Sequence, residues 1–264
     1  MPNRILLAGY YGFGNLGDEI LLETYRSQLS PKFMVDVLPA NRWNFPKILF
    51  LLLKCDVLLF GGGGILQDQT GTLGLWFYLA LIFMARLFGK KIVLLGQGAG
   101  PLAPFNLNLT CLVLSMADKI TVRDKESLAL LTGVNATLSA DSSLLWKPPL
   151  AVRKPSGEKR VVFIPREEDP SFHDALQKAR QSAEKMGAKF EVLAKVPPAQ
   201  AAERLAGAAL IISMRLHGLI LAEILGVPSQ PALNSPKINS WLKDRDLKGL
   251  RKRAETDFEW LKSL

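Results

Sequence analysis

The chain has 264 residues, of which 48% are hydrophobic and 22% charged, so it can bury a large core and is not a disordered protein. Its formal net charge is +9, and residues 147–264 carry most of it, with 21 Lys and Arg against 14 Asp and Glu. A basic second half suits an anionic small ligand, an anionic membrane surface or nucleic acid. We expect no nucleic-acid partner, because no stretch interleaves aromatic with basic residues.

Cysteine and histidine are sparse. Cys55 and Cys111 lie far apart in apolar contexts, and the chain has two histidines, also far apart. These residues cannot together surround a metal ion, so we predict no metal site and two buried, reduced thiols in a cytoplasmic protein. The N-terminus runs straight into a strand and a glycine turn, which argues against a signal peptide.

Two segments are apolar enough to raise the question of a membrane. Ile48–Phe60 is interrupted by charged residues, and Leu73–Phe88 contains Arg86 and is shorter than the roughly 20 apolar residues of a spanning helix. We interpret both as core elements that could also rest on a bilayer surface. With Lys90 and Lys91 beside the second segment, they predict peripheral association with an anionic membrane.

The first strand, Arg4–Ala8, is a continuous apolar run of the kind found in a parallel sheet buried on both faces. The residues that follow it match the dinucleotide fingerprint G-x-G-x-x-G at Gly12, Gly14 and Gly17. Asp18 and Glu19 would repel a pyrophosphate at the start of the next helix, so the turn favours a polar, hydroxyl-rich ligand. A tight turn with acidic capping is the alternative, but it does not explain Asn15.

The strand at 56–60 ends in four glycines, Gly61–Gly64. Glycine loses more conformational entropy on folding than any other residue, and a simple loop does not need four glycines in a row. We therefore expect a loop in which the backbone approaches a ligand closely. The candidate contacts are Gly62, Gly63, Gln67 and Asp68.

Strands and helices continue to alternate, with further strands at Phe33–Leu38, Lys91–Leu95 and Lys119–Val122. This alternation predicts an α/β fold with a doubly wound parallel sheet. Three of the strands end in glycine-rich loops, which we expect to converge on one edge, because ligands of such sheets bind beyond the carboxyl ends of the strands.

A proline-rich basic linker, Lys147–Gly157, interrupts the pattern, which restarts with a strand at Arg160–Ile164. We therefore predict two Rossmann-like domains with mostly parallel sheets facing across a cleft. The predicted boundaries are residues 1–147 and 148–238, with a helical tail over 239–264 that returns to the first domain.

Ser213–Gly218 lies between an apolar strand and the helix at Leu219–Leu225. A turn of this kind gathers backbone N–H groups and the positive end of a helix at one point. Arg215 can bind a phosphate or carboxylate through two N–H groups, and His217 can transfer a proton near neutral pH. The alternative is a core-facing histidine beside a surface arginine, and the turn alone does not decide between the two.

Five motifs, taken in order, resemble the polysaccharide pyruvyl transferases, and within them the bacterial branch that modifies cell-wall polymers. The motifs are Gly9–Glu19, Gly61–Asp68, Gly96–Pro101, Val122–Ser127 and Ser213–Ile220. The resemblance implies a fold similar to B-type glycosyltransferases. It also implies transfer of pyruvate from phosphoenolpyruvate to a sugar of a surface polysaccharide, or to its lipid-linked precursor, with formation of a ketal and with no cofactor.

Phosphoenolpyruvate carries a carboxylate and a phosphate, which Arg166, Arg215 and the turn at Ser213 and Gly218 would bind in the second domain. The acceptor would bind to the first domain. His217 would transfer the proton, and Asp18, or less favourably Asp68, would accept the hydroxyl proton or orient the sugar. Two other functions stay open: a glycosyltransferase that uses a nucleotide sugar, and a non-catalytic sugar-binding protein.

Overall fold

The computed structural model describes residues 4–149, 157–193, 195–243 and 246–264. The chain divides into two compact units, each with its own parallel sheet. The first unit comprises Met1–Phe13, Leu21–Leu145 and Asp246–Leu264, and the second comprises Gly14–Ile20 and Trp146–Arg245. The expected division at residue 147 leaves Gly14–Ile20 in the first domain, whereas the structure groups this segment with the second unit.

The sheet of the first unit has six parallel strands in the order β2-β1-β3-β4-β5-β6. The strands are β1 Arg4–Ala8, β2 Met34–Val37, β3 Val57–Leu66, β4 Lys91–Ala99, β5 Lys119–Val122 and β6 Ala136–Leu138. The helices are α1 Leu16–Leu29 (of which residues 16–20 are grouped with the second unit), α2 Phe45–Lys54, α3 Thr72–Leu87, α4 Pro104–Leu114, α5 Lys125–Leu130 and the C-terminal α10 Leu247–Lys262. A 3-10 turn, Ser142–Leu145, follows β6.

The strand order decides which face of this sheet each helix covers. The chain reverses its direction across the sheet after β2, so right-handed connections place α1 on one face and α2 to α5 on the other. Alternate residues of each strand separate accordingly: Leu6 and Leu58 pack in the core with α2, α3 and α4, and Leu7 and Leu59 pack with α1 and α10.

The glycine run Gly61–Gly64 lies in a strand rather than in a loop, and here the sequence-based expectation is wrong. β3 continues through Gly61–Gly64 to Leu66, with positive φ at Gly62 (63°) and Gly63 (87°) and a shift of register after Gly63. A Cβ on Gly61 would lie 2.6 Å from the Tyr11 hydroxyl, and one on Gly62 would lie 2.9 Å from a Leu21 methyl. The glycines thus permit a bulge inside the strand and make room for neighbouring core side chains.

The C-terminal helix α10 belongs to the first unit. Phe258 and Leu261 are buried in the core beside α1, and the rings of Phe258 and Tyr25 are 4.9 Å apart. Asp257 accepts a hydrogen bond of 2.7 Å from the hydroxyl of Thr121 on β5.

The sheet of the second unit has four parallel strands in the order β10-β9-β7-β8. They are β7 Arg160–Ile164, β8 Lys189–Val192, β9 Leu210–Ser213 and β10 Ser229–Pro231. The helices are α6 Phe172–Lys185, α7 Pro198–Leu205, α8 Leu216–Leu225 and α9 Pro236–Lys243. Ile20, from the first turns of α1, is buried in the core of this unit with Val162, Ile164 and Leu221.

Within the described ranges, no helix combines the length and the apolarity needed to cross a bilayer.

Candidate active site

The turn between β9 and α8 is held by Ser213, the last residue of β9. The Ser213 hydroxyl accepts a hydrogen bond of 3.0 Å from the Arg215 N–H and donates one of 2.7 Å to the Arg215 carbonyl oxygen. Ser213 is fully buried, and a Cβ on Gly218 would overlap its Oγ atom. Ser213 and Gly218 therefore fix the start of α8, at which Arg215 is the N-cap residue.

His217 lies in the first turn of α8 and packs directly on Gly17 in the first turn of α1. A Cβ on Gly17 would overlap Nδ1 and Cγ of the imidazole, so no other residue fits at position 17 without displacing the histidine. His217 is half-buried. Two motifs 200 residues apart thus meet inside the second unit, and Gly17 provides the space for an imidazole rather than for a pyrophosphate.

Asp18 follows Gly17 and is 7% exposed. Its Oδ2 atom accepts a hydrogen bond of 2.5 Å from the side-chain amide of half-buried Asn15. The Gly14 N–H donates to Glu19 Oε1 at 3.4 Å, and Gly14 has a φ of 72°. Asn15 therefore orients the carboxylate of Asp18 at a helix start, where the positive helix end also stabilises it.

The arginines predicted to bind the donor share an acidic partner, Glu168. Arg215 Nη2 lies 3.1 and 3.2 Å from the two Glu168 carboxylate oxygens, and its Nε donates to the Pro165 carbonyl at 2.9 Å. Arg166 Nε lies 3.4 Å from Glu168 Oε1, and Arg166 Nη1 lies 4.0 Å from Asp169. The side chains of Arg215, Arg166 and Glu168 are 29%, 40% and 58% exposed.

The pKa of Glu168 is lowered. Burial opposes this change, but a backbone hydrogen bond and the positive charges of Arg215 and Arg166 outweigh it. The pKa of Asp169 is lowered as well, chiefly by hydrogen bonds from the hydroxyl and N–H of Ser171. Both carboxylates are thus charged at neutral pH and balance the two guanidinium groups. Because an exposed ion pair contributes only about 0–1 kcal/mol, Glu168 can be displaced from the arginines at small cost.

In the first unit, Gln67 and Asp68 hydrogen-bond within their own surroundings. Asp68 Oδ2 accepts from the Ala103 N–H at 2.8 Å and from the Asn106 side chain at 2.7 Å, and these hydrogen bonds, first that of Asn106, lower the pKa of Asp68. Gln67 bonds to the hydroxyl and N–H of Thr70. A carboxylate with a lowered pKa is a weak proton acceptor, so these contacts favour a structural role for Asp68.

The structure divides the predicted site residues between the units. The second unit holds Gly14, Asn15, Gly17, Asp18, Arg166, Ser213, Arg215, His217 and Gly218. The first unit holds Gly12, Gly62, Gly63, Gln67 and Asp68. Gly12 has a φ of 82°, and Gly62 and Gly63 are buried within β3.

The sequence indicates that Arg123 can pair with its neighbour Asp124, but sequence reasoning missed the buried ion pair of Arg123 with Asp141 in the first unit. Arg123 Nη1 lies 2.8 Å from Asp141, and Arg123 Nε lies 3.5 Å from Asp124. The side chains of Arg123 and Asp141 are 6% and 4% exposed. A Cβ on Gly98 would lie 2.8 Å from Arg123 Nη2, so the glycine motif of β4 makes room for the guanidinium. That motif was the available signal, but it does not indicate which side chain fills the space.

The two cysteines differ. Cys55 is buried, and burial raises the pKa of its thiol to about 11. Cys111 is half-exposed, which corrects the prediction of two buried thiols. Over the part of the chain that the structure describes, no group of three His, Cys, Asp or Glu side chains could hold a metal ion.

The sequence profile of the polysaccharide pyruvyl transferase family matches residues 14–230. The chain belongs to this family. The match begins at Gly14, two residues before α1, and ends in β10, so it includes every predicted site residue of the second unit. No curated protein sequence matches this family member.

Solved structures place this pyruvyl transferase among the B-type glycosyltransferase folds. S. aureus MnaA in complex with UDP is similar with a TM-score of 0.59 and 10% identity, covering 99% of this chain and 91% of that one. UDP-N-acetylglucosamine 2-epimerase from Rickettsia bellii has a TM-score of 0.53 and 10% identity, with coverages of 97% and 88%. A functionally uncharacterised protein from Klebsiella pneumoniae has a TM-score of 0.58 and 16% identity, with coverages of 94% and 90%. At these identities the likeness concerns the fold alone.

Proposed function

We propose that the protein transfers pyruvate from phosphoenolpyruvate to a sugar of a cell-wall or surface polysaccharide, or to its lipid-linked precursor, and forms a pyruvyl ketal. The observation that carries the proposal is the contact of His217 with Gly17. This contact brings together, within one unit, the two family motifs that contain Asp18 and the pair Arg215 and His217. Arg215 begins the same helix turn, and Asp18 follows Gly17 directly.

The donor would bind by taking the place of Glu168. Phosphoenolpyruvate offers a carboxylate and a phosphate, and the guanidinium groups of Arg215 and Arg166 already hold a carboxylate between them. A planar guanidinium binds either anion through two parallel N–H groups. The positive end of α8 would add to the attraction for the phosphate.

His217 would transfer the proton in the reaction. It would give a proton to the methylene carbon of the donor, which leaves the adjacent carbon electron-deficient and open to a sugar hydroxyl. That hydroxyl loses its proton to the imidazole, and phosphate leaves with the electron pair of its C–O bond. A second hydroxyl then adds to the same carbon to close the ketal, and its proton passes to the departing phosphate. Asp18, which is oriented by Asn15, would accept a hydroxyl proton or hold the sugar in position.

We also propose that this reaction takes place in the cytoplasm at an anionic membrane surface. A lipid-linked acceptor is present only at a bilayer. The net charge of +9 favours an anionic surface over a neutral one.

A nucleotide-sugar glycosyltransferase is the second candidate, because the solved structures with this fold include MnaA in complex with UDP. A thermal-shift comparison of phosphoenolpyruvate with UDP and GDP separates the two proposals. A ligand at 100 times its Kd stabilises the folded protein by about 2.7 kcal/mol, so we expect a clear rise of Tm with phosphoenolpyruvate and none with the nucleotides. A rise with a nucleotide alone would overturn the proposal of pyruvyl transfer.

A further inference from the structure

The outer surface of helices α2, α3 and α4, named here the α2–α4 face, exposes large apolar side chains. These helices cover one face of the sheet in the first unit and share a single core beneath them. The most exposed side chains, between 56% and 81%, are Trp43 (just before α2), Phe45, Leu73, Leu87, Phe105 and Leu112. Since an aromatic side chain has roughly 200 Å² of surface, the aromatic residues alone present several hundred Å². Apolar patches of this size on a soluble domain mark binding surfaces.

Helix α2 is apolar on its outward side as well as on its core side. It buries Ile48 and Leu52, and it exposes Leu49, Phe50 and Leu53 at between 42% and 52%. A helix that covers a sheet in water normally has one apolar stripe and a polar remainder. The outward apolar residues of α2 are therefore not explained by the packing of the first unit.

Helix α4 buries two polar residues beside the apolar Val113 and Leu114, and it exposes two large apolar ones. It buries Asn106 and Thr110, while Phe105 and Leu112 are 69% and 63% exposed. Asn106 is satisfied inside, because it accepts a hydrogen bond of 3.0 Å from the indole N–H of Trp76 and donates to Asp68. An open groove of about 340 Å³, lined by apolar side chains of α3 and α4, lies beside these residues.

The charged residues within the helices of the α2–α4 face are all positive. The sequences of α2, α3 and α4 contain Lys47, Lys54 and Arg86 and no Asp or Glu. Lys54 Nζ lies 4.2 Å above the ring of Phe50, and exposed Lys91 follows α3. The positive charge of Arg86 is partly balanced, since its guanidinium lies 3.9 Å from the carboxylate of Asp118. Aromatic side chains with cations beside them match an anionic lipid surface, where the rings enter the headgroup boundary and the cations contact phosphates.

We propose that the α2–α4 face binds an anionic phospholipid bilayer. The exposed aromatic and leucine side chains enter the boundary between headgroups and acyl chains, and Lys47 and Lys54 contact lipid phosphates. This inference deepens the proposed function at one point, the membrane surface, and does not depend on the identity of the donor.

Flotation of the full chain with vesicles tests the inference. We expect binding to vesicles of phosphatidylglycerol and phosphatidylcholine, and much weaker binding to phosphatidylcholine alone. Trp43→Ser with Phe50→Ser lowers the partition coefficient at least tenfold, because apolar area drives insertion. Lys47→Gln with Lys54→Gln lowers it about fivefold per charge and reduces its dependence on salt. The matched control, Met186→Ser with Val192→Ser, removes exposed apolar residues of the second unit and leaves binding unchanged.

Two results would overturn the inference. One is equal binding to neutral and anionic vesicles by the wild type. The other is a lipid-free dimer, seen by light scattering, that Trp43→Ser with Phe50→Ser dissociates without a change in vesicle binding, which would assign the face to a second copy of the chain. If the apolar variant lacks a cooperative melting transition, the lysine variant decides the outcome alone. The rise of Tm with phosphoenolpyruvate, measured on the same variants, reports on donor binding separately.

Discussion

The carboxyl ends of the two sheets carry similar residues in different physical states. In the first unit, Arg123 pairs with Asp141 at 2.8 Å, and both side chains are almost completely buried. In the second unit, Arg215 pairs with Glu168 at 3.1 Å, but 58% of the Glu168 side chain is exposed. A buried pair is costly to break and therefore fixes structure, whereas an exposed pair is easily replaced by a ligand. Exposure, rather than residue type, distinguishes the candidate site of the second unit from the structural ion pair of the first unit.

The largest expected effect comes from His217→Gln, which tests whether the second unit contains the site. We expect turnover of phosphoenolpyruvate with an acceptor sugar to fall by about 10²–10⁴-fold, the usual contribution of a positioned acid–base group. The Tm and the binding of phosphoenolpyruvate should change little. His173→Gln is the matched control, because His173 is exposed on α6 and should leave turnover unchanged. A destabilised His217→Gln protein with near-normal turnover would remove His217 from the mechanism.

Asp141→Asn tests whether the buried ion pair of the first unit stabilises the fold. Removing the charge of Asp141 leaves the Arg123 guanidinium with Asp124 alone, at the longer distance of 3.5 Å, and we expect the free energy of unfolding to fall by about 3 kcal/mol. Turnover per folded molecule should stay within about twofold of the wild type. Denaturant unfolding measures the first quantity, and Asp174→Asn, at an exposed ion pair with Lys178, is the control with almost no effect. Unchanged stability with lost turnover would place Asp141 in the site instead.

Arg215→Lys should weaken donor binding about tenfold, because an ammonium group cannot reproduce the two parallel N–H groups of the guanidinium. The KM for phosphoenolpyruvate should rise, and kcat should fall less. Titration of the Tm with phosphoenolpyruvate checks the affinity directly. Lys178→Arg on α6 is a control for the general effect of exchanging the two cations. An unchanged affinity in Arg215→Lys would show that another group binds the donor.

The smallest expected effect is a gain in affinity for phosphoenolpyruvate. Glu168→Gln removes the charge that occupies Arg215 and Arg166, and donor affinity should rise by up to about fivefold, in keeping with the weak contribution of an exposed pair. Measured KM values for phosphoenolpyruvate decide this. A weaker affinity in Glu168→Gln would mean that Glu168 contacts a substrate rather than competing with the donor.

The fold was largely predictable from the sequence, and the candidate site only in part. Continuous apolar runs such as Ile5–Ala8 predict buried parallel strands, because only a sheet covered on both faces excludes water from every side chain of the run. The contact of Gly17 with His217 was not predictable, since it joins residues 200 positions apart. The glycines of β3 were misinterpreted, because a glycine run alone does not distinguish a loop from a bulged strand. Glu168 was missed because it lies among neighbouring acidic residues, and the sequence does not indicate which of them pairs with Arg215.

The Glu168 carboxylate between Arg166 and Arg215 has a consequence for how binding responds to ionic strength. An anion that enters an unoccupied pair of arginines gains attraction that dissolved salt screens strongly. When an anion replaces Glu168, the arginines form ion pairs with the anion and lose those with Glu168. Dissolved salt weakens the new ion pairs and the lost ones alike. Affinity for phosphoenolpyruvate should therefore depend only weakly on salt concentration, because Glu168 would compete with the donor for the same two guanidinium groups at every ionic strength.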